Sequence, residues 1–454
     1  MTSPLPTGPG THGRPQSPRF ISAAVEAEIA RIAVDITDPN LRAMFIRCYP
    51  NTLDTTVFFQ DDDDEPDTFV ITGDIHAMWL RDSTAQVWPY MRLIPQDAQL
   101  ARMIAGLVRR QTACIALDPY ANAFNDGPGH SEWQLDNTEM KPELHERKWE
   151  LDSLCYAIRL AHGYWQITQD RRPYNAFWLQ TMRLLVATLQ QQQRKTDAGP
   201  YRFTRKTAWQ SDTLPCNGIG NPLRPVGLIA SMFRPSDDAC IYPFLVPSNH
   251  FAVVSLRQLA AMLDTLYPDD PLIETCRTLA DEVHAALQRN AIVIHPVHGR
   301  IWAYEVDGFG NALIMDDANV PSLLALPYLG AVDVNDEIYR NTRAFALSTD
   351  NPWFFRSGDE QLEGIGSPHT LMPRIWPMSI IMRALTSSDQ VEISTCLRML
   401  LASDGGSGLM HESFMPDDPT DFTRSWFSWA NTLFGELITT LASEHSAHLT
   451  MPAA

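Results

Sequence analysis

"ELDSLCYAIRLAHGYWQIT" (150–168) and "NAFWLQTMRLLVATLQQQQR" (175–194) follow one another in the chain with a short polar connection between them. In each, apolar residues recur at spacings of three and four, as in Leu151, Leu154, Cys155 and Ile158, which lines them along one helical face. The same period returns in 22–36, 97–117, 250–266, 272–290, 335–348, 376–387, 389–403 and 425–443. With a helix after Ser83 and one near Pro321–Leu326, this predicts about a dozen helices, mostly in pairs. Strand-like pieces are few and short: "TTVFFQ" (55–60), "TFVIT" (68–72), "IVIHP" (292–296) and "IWAYEV" (301–306).

Long Pro/Gly/polar stretches at 118–149, 196–246, 345–375 and 403–425 lie between the helix pairs. Loops of that length are uncommon unless they carry function. No Ser/Gly linker marks a domain boundary and no fixed-period repeat suggests a solenoid. The pattern is that of an all-α toroid with a few short strands and long loops gathered at one end. The expectation is a single catalytic domain over 21–454 after a disordered Pro/Gly-rich tail, 1–20.

Composition narrows the function. Of 454 residues, 44% are hydrophobic and 20% charged, as in a globular protein with a substantial core. A net charge of −19 disfavours nucleic acid and anionic membranes and suits a neutral substrate. The seven cysteines are scattered without a CxxC pair, which fits neither a disulfide framework nor a zinc site. The N-terminus lacks the apolar region of a secretory signal, and no run of about 18 apolar residues predicts a membrane span. A cytoplasmic location is expected. "GPGTHG" (8–13) matches a dinucleotide-binding pattern letter for letter, but a Pro-rich tail offers neither the strand nor the helix that motif needs. The acidic run 61–67 lacks the alternating spacing and Gly turn of a calcium loop. No metal ligand set and no cofactor are predicted.

What remains is a group of loops rich in carboxylates and aromatic residues. "TGDIHAMWLRDS" (72–83) crowds Asp74, His76, Trp79, Arg81 and Asp82 into a strand-to-helix connection, with Asp82–Ser83 expected as the helix cap. "FRPSDDACIYPFLVPSN" (233–249) holds adjacent Asp237 and Asp238, and like-charge repulsion is one way to raise a carboxyl pKa, as a general acid requires. Segment 404–431 presents Glu412 beside His411, Phe414, Trp426 and Trp429; 353–370 adds Arg356, Asp359, Glu363 and His369; 130–153 adds Trp133, Asp136, Trp149 and Glu150. Sugar rings need flat apolar faces and bidentate polar contacts, and a glycosidic bond needs two flanking carboxyls. A glycoside-processing enzyme accounts for all three.

"TGDIHAMWLRDSTAQVWPY" (72–90), "RPSDDACIYPFLVPSNHFAV" (234–253), "GIGSPHT" (364–370) and "GLMHESF" (408–414) together resemble glycoside hydrolase family 125, over roughly residues 21–440 and in the same order. The resemblance implies an (α/α)6 barrel and metal-independent, inverting, exo-acting hydrolysis of α-1,6-mannosides. A mannose-containing oligosaccharide is then the partner. It places the general acid in the Asp237/Asp238 pair, with Asp238 favoured, and the general base at Glu412. Arg81, Asp82 and His369 would line the mannose pocket, with Asp74, His76, Trp79, Trp149, Asn249 and His411 as further candidate contacts. Inversion implies carboxyls ~6.5–9.5 Å apart. Another helical-toroid glycosidase (a glucosidase, a phosphorylase or a calcium-dependent α-1,2-mannosidase) and a catalytically dead glycan-binding protein are the alternatives.

Overall fold

Residues 14–62, 65–444 and 449 are described by a computed structural model of the chain. They group into two compact units, each assembled from separate stretches of chain. The first comprises Met1–His76, Asp82–Leu107 and Trp353–Ala454; the second comprises Ala77–Arg81 and Val108–Pro352.

The first unit contains helices Ala23–Asp35, Pro39–Cys48, Asn51–Thr55, Pro377–Leu385, Gln390–Ala402 and Ser428–Glu444. Their starts follow from local chemistry. Ser22 accepts from Val25 N, Asp38 accepts from Asn40 N and Leu41 N ahead of Pro39, and Asp389 accepts from Val391 N. Helix Ser428–Glu444 packs on Pro377–Leu385 and Pro39–Cys48. It approaches so closely that a Cβ on Gly435 would stand 2.7 Å from Tyr49 Cα, a contact only glycine permits. Three antiparallel hairpins complete the unit: Val57–Gln60 with Asp67–Val70, Phe354–Arg356 with Glu363–Ile365, and Ser413–Met415 with Asp418–Thr423.

The second unit is built on Leu151–Thr168, Ala176–Gln192, Val246–Leu266, Leu272–Asn290 and Glu337–Ala346. Val246–Leu266 packs along both Leu151–Thr168 and Leu272–Asn290. Its first turns, from Val246 to Val253, are buried on every side, the polar Ser248, Asn249 and His250 included. Two small sheets stitch the loops to this core. One orders Met78–Trp79, Ala123–Phe124 and Leu144–Glu146; the other orders Ala312–Leu313, Glu305–Val306 and Phe244–Leu245.

The four strand-like segments of the sequence form two hairpins, 57–60 with 67–70 and 292–295 with 299–302. Of the two small sheets only Glu305–Val306, inside the strand-like 301–306, was expected, because strands of two or three residues carry no periodicity. The expected helix near Pro321–Leu326 is a run of turns instead, held by Asp316, which accepts from Leu323 N and Leu324 N. Helix Leu80–Val87 begins before Asp82, so Asp82 and Ser83 lie inside its first turns rather than capping it. Residues 1–13 of the expected tail lie outside the described residues. Within 14–20, Arg14 is bonded to Glu26 and Asp54 and Phe20 is buried, while Gln16, Ser17 and Arg19 are exposed.

Candidate active site

In the second unit, three chain segments converge on one guanidinium. Arg81 directly follows strand Met78–Trp79 through Leu80, Asn122 precedes strand Ala123–Phe124, and Glu150 follows strand Leu144–Glu146 and opens helix Leu151–Thr168. Arg81 Nη1 donates to Glu150 at 2.7 Å and to Asp152 at 3.3 Å, and Nη2 donates to Asp237 at 3.1 Å. Asn122 Nδ2 donates to Glu146 at 2.9 Å, Glu150 at 3.3 Å and Asp237 at 3.5 Å. Around Arg81 stand three carboxyls, so full ionisation would leave excess negative charge in a buried place. Burial drives Glu150 well above the ordinary carboxylate range and Asp152 up to about 6, against the pull of Arg81. The neighbouring Asp237 raises Glu150 further. Carboxyls this close titrate as a unit.

Asp237 and Asp238, alike in sequence, are unlike in place. Asp237 has φ of +68°, a left-handed conformation uncommon for a non-glycine residue. The strain is held by a tight turn in which Arg234 N donates to Asp238 O at 2.7 Å and Asp237 N donates to Arg234 O at 2.9 Å. Lys148 Nζ donates to the Asp237 carbonyl at 2.8 Å, and Glu305 fixes the rest of the loop by binding Arg234, Ile241 N and Tyr242 N. The Asp237 side chain is 23% exposed. Asp238 is 5% exposed and accepts from Ser236 Oγ at 3.1 Å.

Lys148, itself buried, also binds Asp212 at 2.7 Å and Glu146 at 3.3 Å. Burial opposes its charge, but Glu146, Asp237 and Asp212 hold the ammonium above its ordinary range. Arg205 ties Asp136, Glu146 and Asp212 together. The loop bearing Asp237 therefore rests on a connected ionic network.

The first unit holds the other carboxylate group. Glu412 immediately precedes strand Ser413–Met415, and Arg424 immediately follows strand Asp418–Thr423. The pairing of Ser413 with Thr423 brings the two together, with Arg424 Nη1 3.6 Å from Glu412 Oε1. Arg424 also clasps Asp74, which a bridge between Gly73 and Phe427 carries alongside. Thr72 Oγ1 donates to Asp82 Oδ1 at 2.5 Å, and the charges of Glu412, Asp74 and Asp82 all act on Arg424. His76 is exposed and edges against Phe58, and His369 is exposed with its ring at 6.3 Å from Trp376.

Three expected sugar contacts are interior groups instead. Trp149 is fully buried and its indole N–H donates to Ala230 O. Asn249 is fully buried, with its side chain spent on the backbone of Ile229 and Leu245. His411 stacks on Phe422 at 3.6 Å, donates from Nε2 to Asp404 O, and is held below its ordinary pKa by burial. Trp79 is nearly buried and meets His145 edge-on, with its indole N–H unpartnered. Asp152, Asn122 and Arg424 were missed as site residues, and Glu150 was noted only as loop content.

The sequence profile of metal-independent α-mannosidases (GH125) matches residues 38–439. The chain belongs to this family. A GH125 relative of known structure, a metal-independent α-mannosidase of Streptococcus pneumoniae in non-productive complex with α-1,6-mannobiose, is 41% identical. That match covers 94% of this chain and 100% of the other, with a TM-score of 0.89. The meiotically up-regulated gene 157 protein of Schizosaccharomyces pombe is 40% identical, over 95% of this chain and 87% of its own. A bacterial glucoamylase in complex with acarbose shares the fold alone, at 12% identity and a TM-score of 0.52 over 84% of this chain and 50% of its own. The fold class is thus the α/α barrel of GH125, and the chain is a glycoside hydrolase of the α-mannosidase type.

Proposed function

We propose that this GH125 enzyme removes single mannose units from the non-reducing ends of α-1,6-linked mannosides with inversion at the anomeric carbon. The observation that carries the linkage is the α-1,6-mannobiose bound by the S. pneumoniae relative, which aligns over its whole length. In this reading Glu412 takes a proton from water as the water attacks C1. Asp237 gives its proton to the departing glycosidic oxygen, so the first product is β-mannose.

Asp237 replaces the sequence-favoured Asp238 in the acid role. The supporting observations are its partial exposure, its strained backbone, and its hydrogen bonds to Arg81 and Asn122 beside Glu150 and Asp152. A strained residue held by its surroundings is a common mark of a functional position. Arg81 then positions Asp237, and Arg424 orients Glu412.

The test is incubation with α-1,2-, α-1,3- and α-1,6-mannobiose and with a linear α-1,6-mannan, followed by proton NMR before mutarotation. Mannose from the α-1,6 compound, appearing first as the β-anomer, supports the proposal. Preference for another linkage, release of longer fragments first, or an initial α-anomer overturns the corresponding part of it.

A further inference from the structure

We propose that His295, His298 and Asp350, in the second unit, form a zinc-class metal site that serves the fold and takes no part in sugar hydrolysis. One ligand atom from each of these side chains lies within 4.8 Å of the other two. Two imidazoles and a carboxylate are a donor set suited to Zn²⁺, with a fourth position left for water. Tetrahedral zinc with bonds of about 2.0–2.2 Å sets its ligands roughly 3.3 Å apart, so binding requires the trio to draw together by up to about 1.5 Å.

The backbone holds the ligands in place without the metal. His295 ends strand Ile292–His295 and pairs with Gly299, so His298 falls in the hairpin turn beside it. Gly299, at φ +74°, supplies the left-handed residue that the turn requires. The hairpin is docked on helix Glu337–Ala346: Trp302 N donates to Thr342 Oγ1 and Asn341 Nδ2 donates to Arg300 O. Phe345 packs against both imidazoles. Asp350 sits in the turn after that helix, where Asn351 Nδ2 donates to Ala346 O.

His298 Nε2 and Asp350 Oδ2 are already 2.8 Å apart. His295 Nδ1 accepts only two long contacts, both 3.3 Å, from Val297 N and His298 N. Metal binding moves the His298 proton from Nε2 to Nδ1, and the ion takes the place of the hydrogen between His298 and Asp350. The ion would then join the 292–302 hairpin to the turn closing helix Glu337–Ala346.

The test is calorimetric titration of Zn²⁺ into the metal-stripped full chain, alongside His298→Asn and Asp350→Asn, with mannosidase turnover as a check that each variant is folded. The wild type should bind one ion saturably and unfold at a higher temperature with Zn²⁺ present. Each variant should bind at least about tenfold more weakly and lose that thermal shift, since even groups that merely support metal ligands are worth about 10–100-fold in affinity. Absence of a saturable one-to-one isotherm in the wild type overturns the site. So does unchanged affinity in either variant, which would place the zinc on other groups such as the exposed Cys216.

Discussion

Arg424 Nη1 stands 3.6 Å from Glu412 Oε1 while the same guanidinium clasps Asp74. The arrangement holds the Glu412 carboxyl in one orientation, as the proposed base role requires. Glu412→Gln removes the proton acceptor whatever group departs. Initial rates should therefore fall by ~10²–10⁴-fold on both a mannobiose and an aryl mannoside. A near wild-type rate on either substrate would remove Glu412 from the base role.

The acid makes the opposite signature. A good leaving group needs no proton, so Asp237→Ala should cripple mannobiose cleavage yet spare much of the activity on 2,4-dinitrophenyl α-mannoside. Asp238, buried on Ser236, should show no such selectivity when replaced by Ala; its loss should lower both rates together. Reversal of the two phenotypes would return the acid role to Asp238.

With Asp237 as the proposed acid, the carboxyls around Arg81 are expected to shape the alkaline limb of the pH profile. Burial raises Glu150 and Asp152 in the folded protein, and in the proposed mechanism turnover should fall as pH rises and the group ionises. Glu150→Gln removes one negative neighbour of Asp237, which eases its ionisation and should move the limb of kcat/KM to lower pH. An unmoved limb would detach Glu150 from the acid. The stability sign agrees: the folded state binds more protons than the unfolded one between about pH 4 and the raised values. These groups therefore favour folding at the acidic side of that window and lose that contribution as pH rises through it.

The helices and both carboxylate loops were legible because 3.6-residue periodicity and the long "RPSDDACIYPF" and "GLMHESF" segments carry their own signal. Roles within them were not. Asp237 and Asp238 have the same side chain, and only the turn geometry at 234–238 separates a strained, partly exposed carboxyl from a buried one. Arg424 and Glu412 are neighbours through a hairpin pairing, and Asp74 joins them through a bridge from a distant segment. The His295–His298 spacing is visible in sequence, but its third member, Asp350, comes close only because the hairpin docks on helix Glu337–Ala346. Polar residues inside a motif also mislead, as His411 and Trp149 do: both are spent on internal hydrogen bonds.

Asn249 offers the sharpest contrast between a motif residue and a sugar contact. Its Oδ1 accepts from Ile229 N at 2.8 Å, and its Nδ2 donates to Ile229 O and Leu245 O, both at 2.9 Å. The side chain thus supplies partners to an irregular segment that has no regular ladder at that point, and it clamps residue 229 onto the start of helix Val246–Leu266. Asn249→Ala leaves a buried N–H without its acceptor and opens a small cavity. Each unsatisfied buried group costs ~1–3 kcal/mol, so a total loss of roughly 2–4 kcal/mol is expected. Thermal unfolding should move down by several degrees, while KM for α-1,6-mannobiose in the folded fraction stays close to wild type. A raised KM at unchanged thermal stability would instead make Asn249 the sugar contact that its place in the motif suggested.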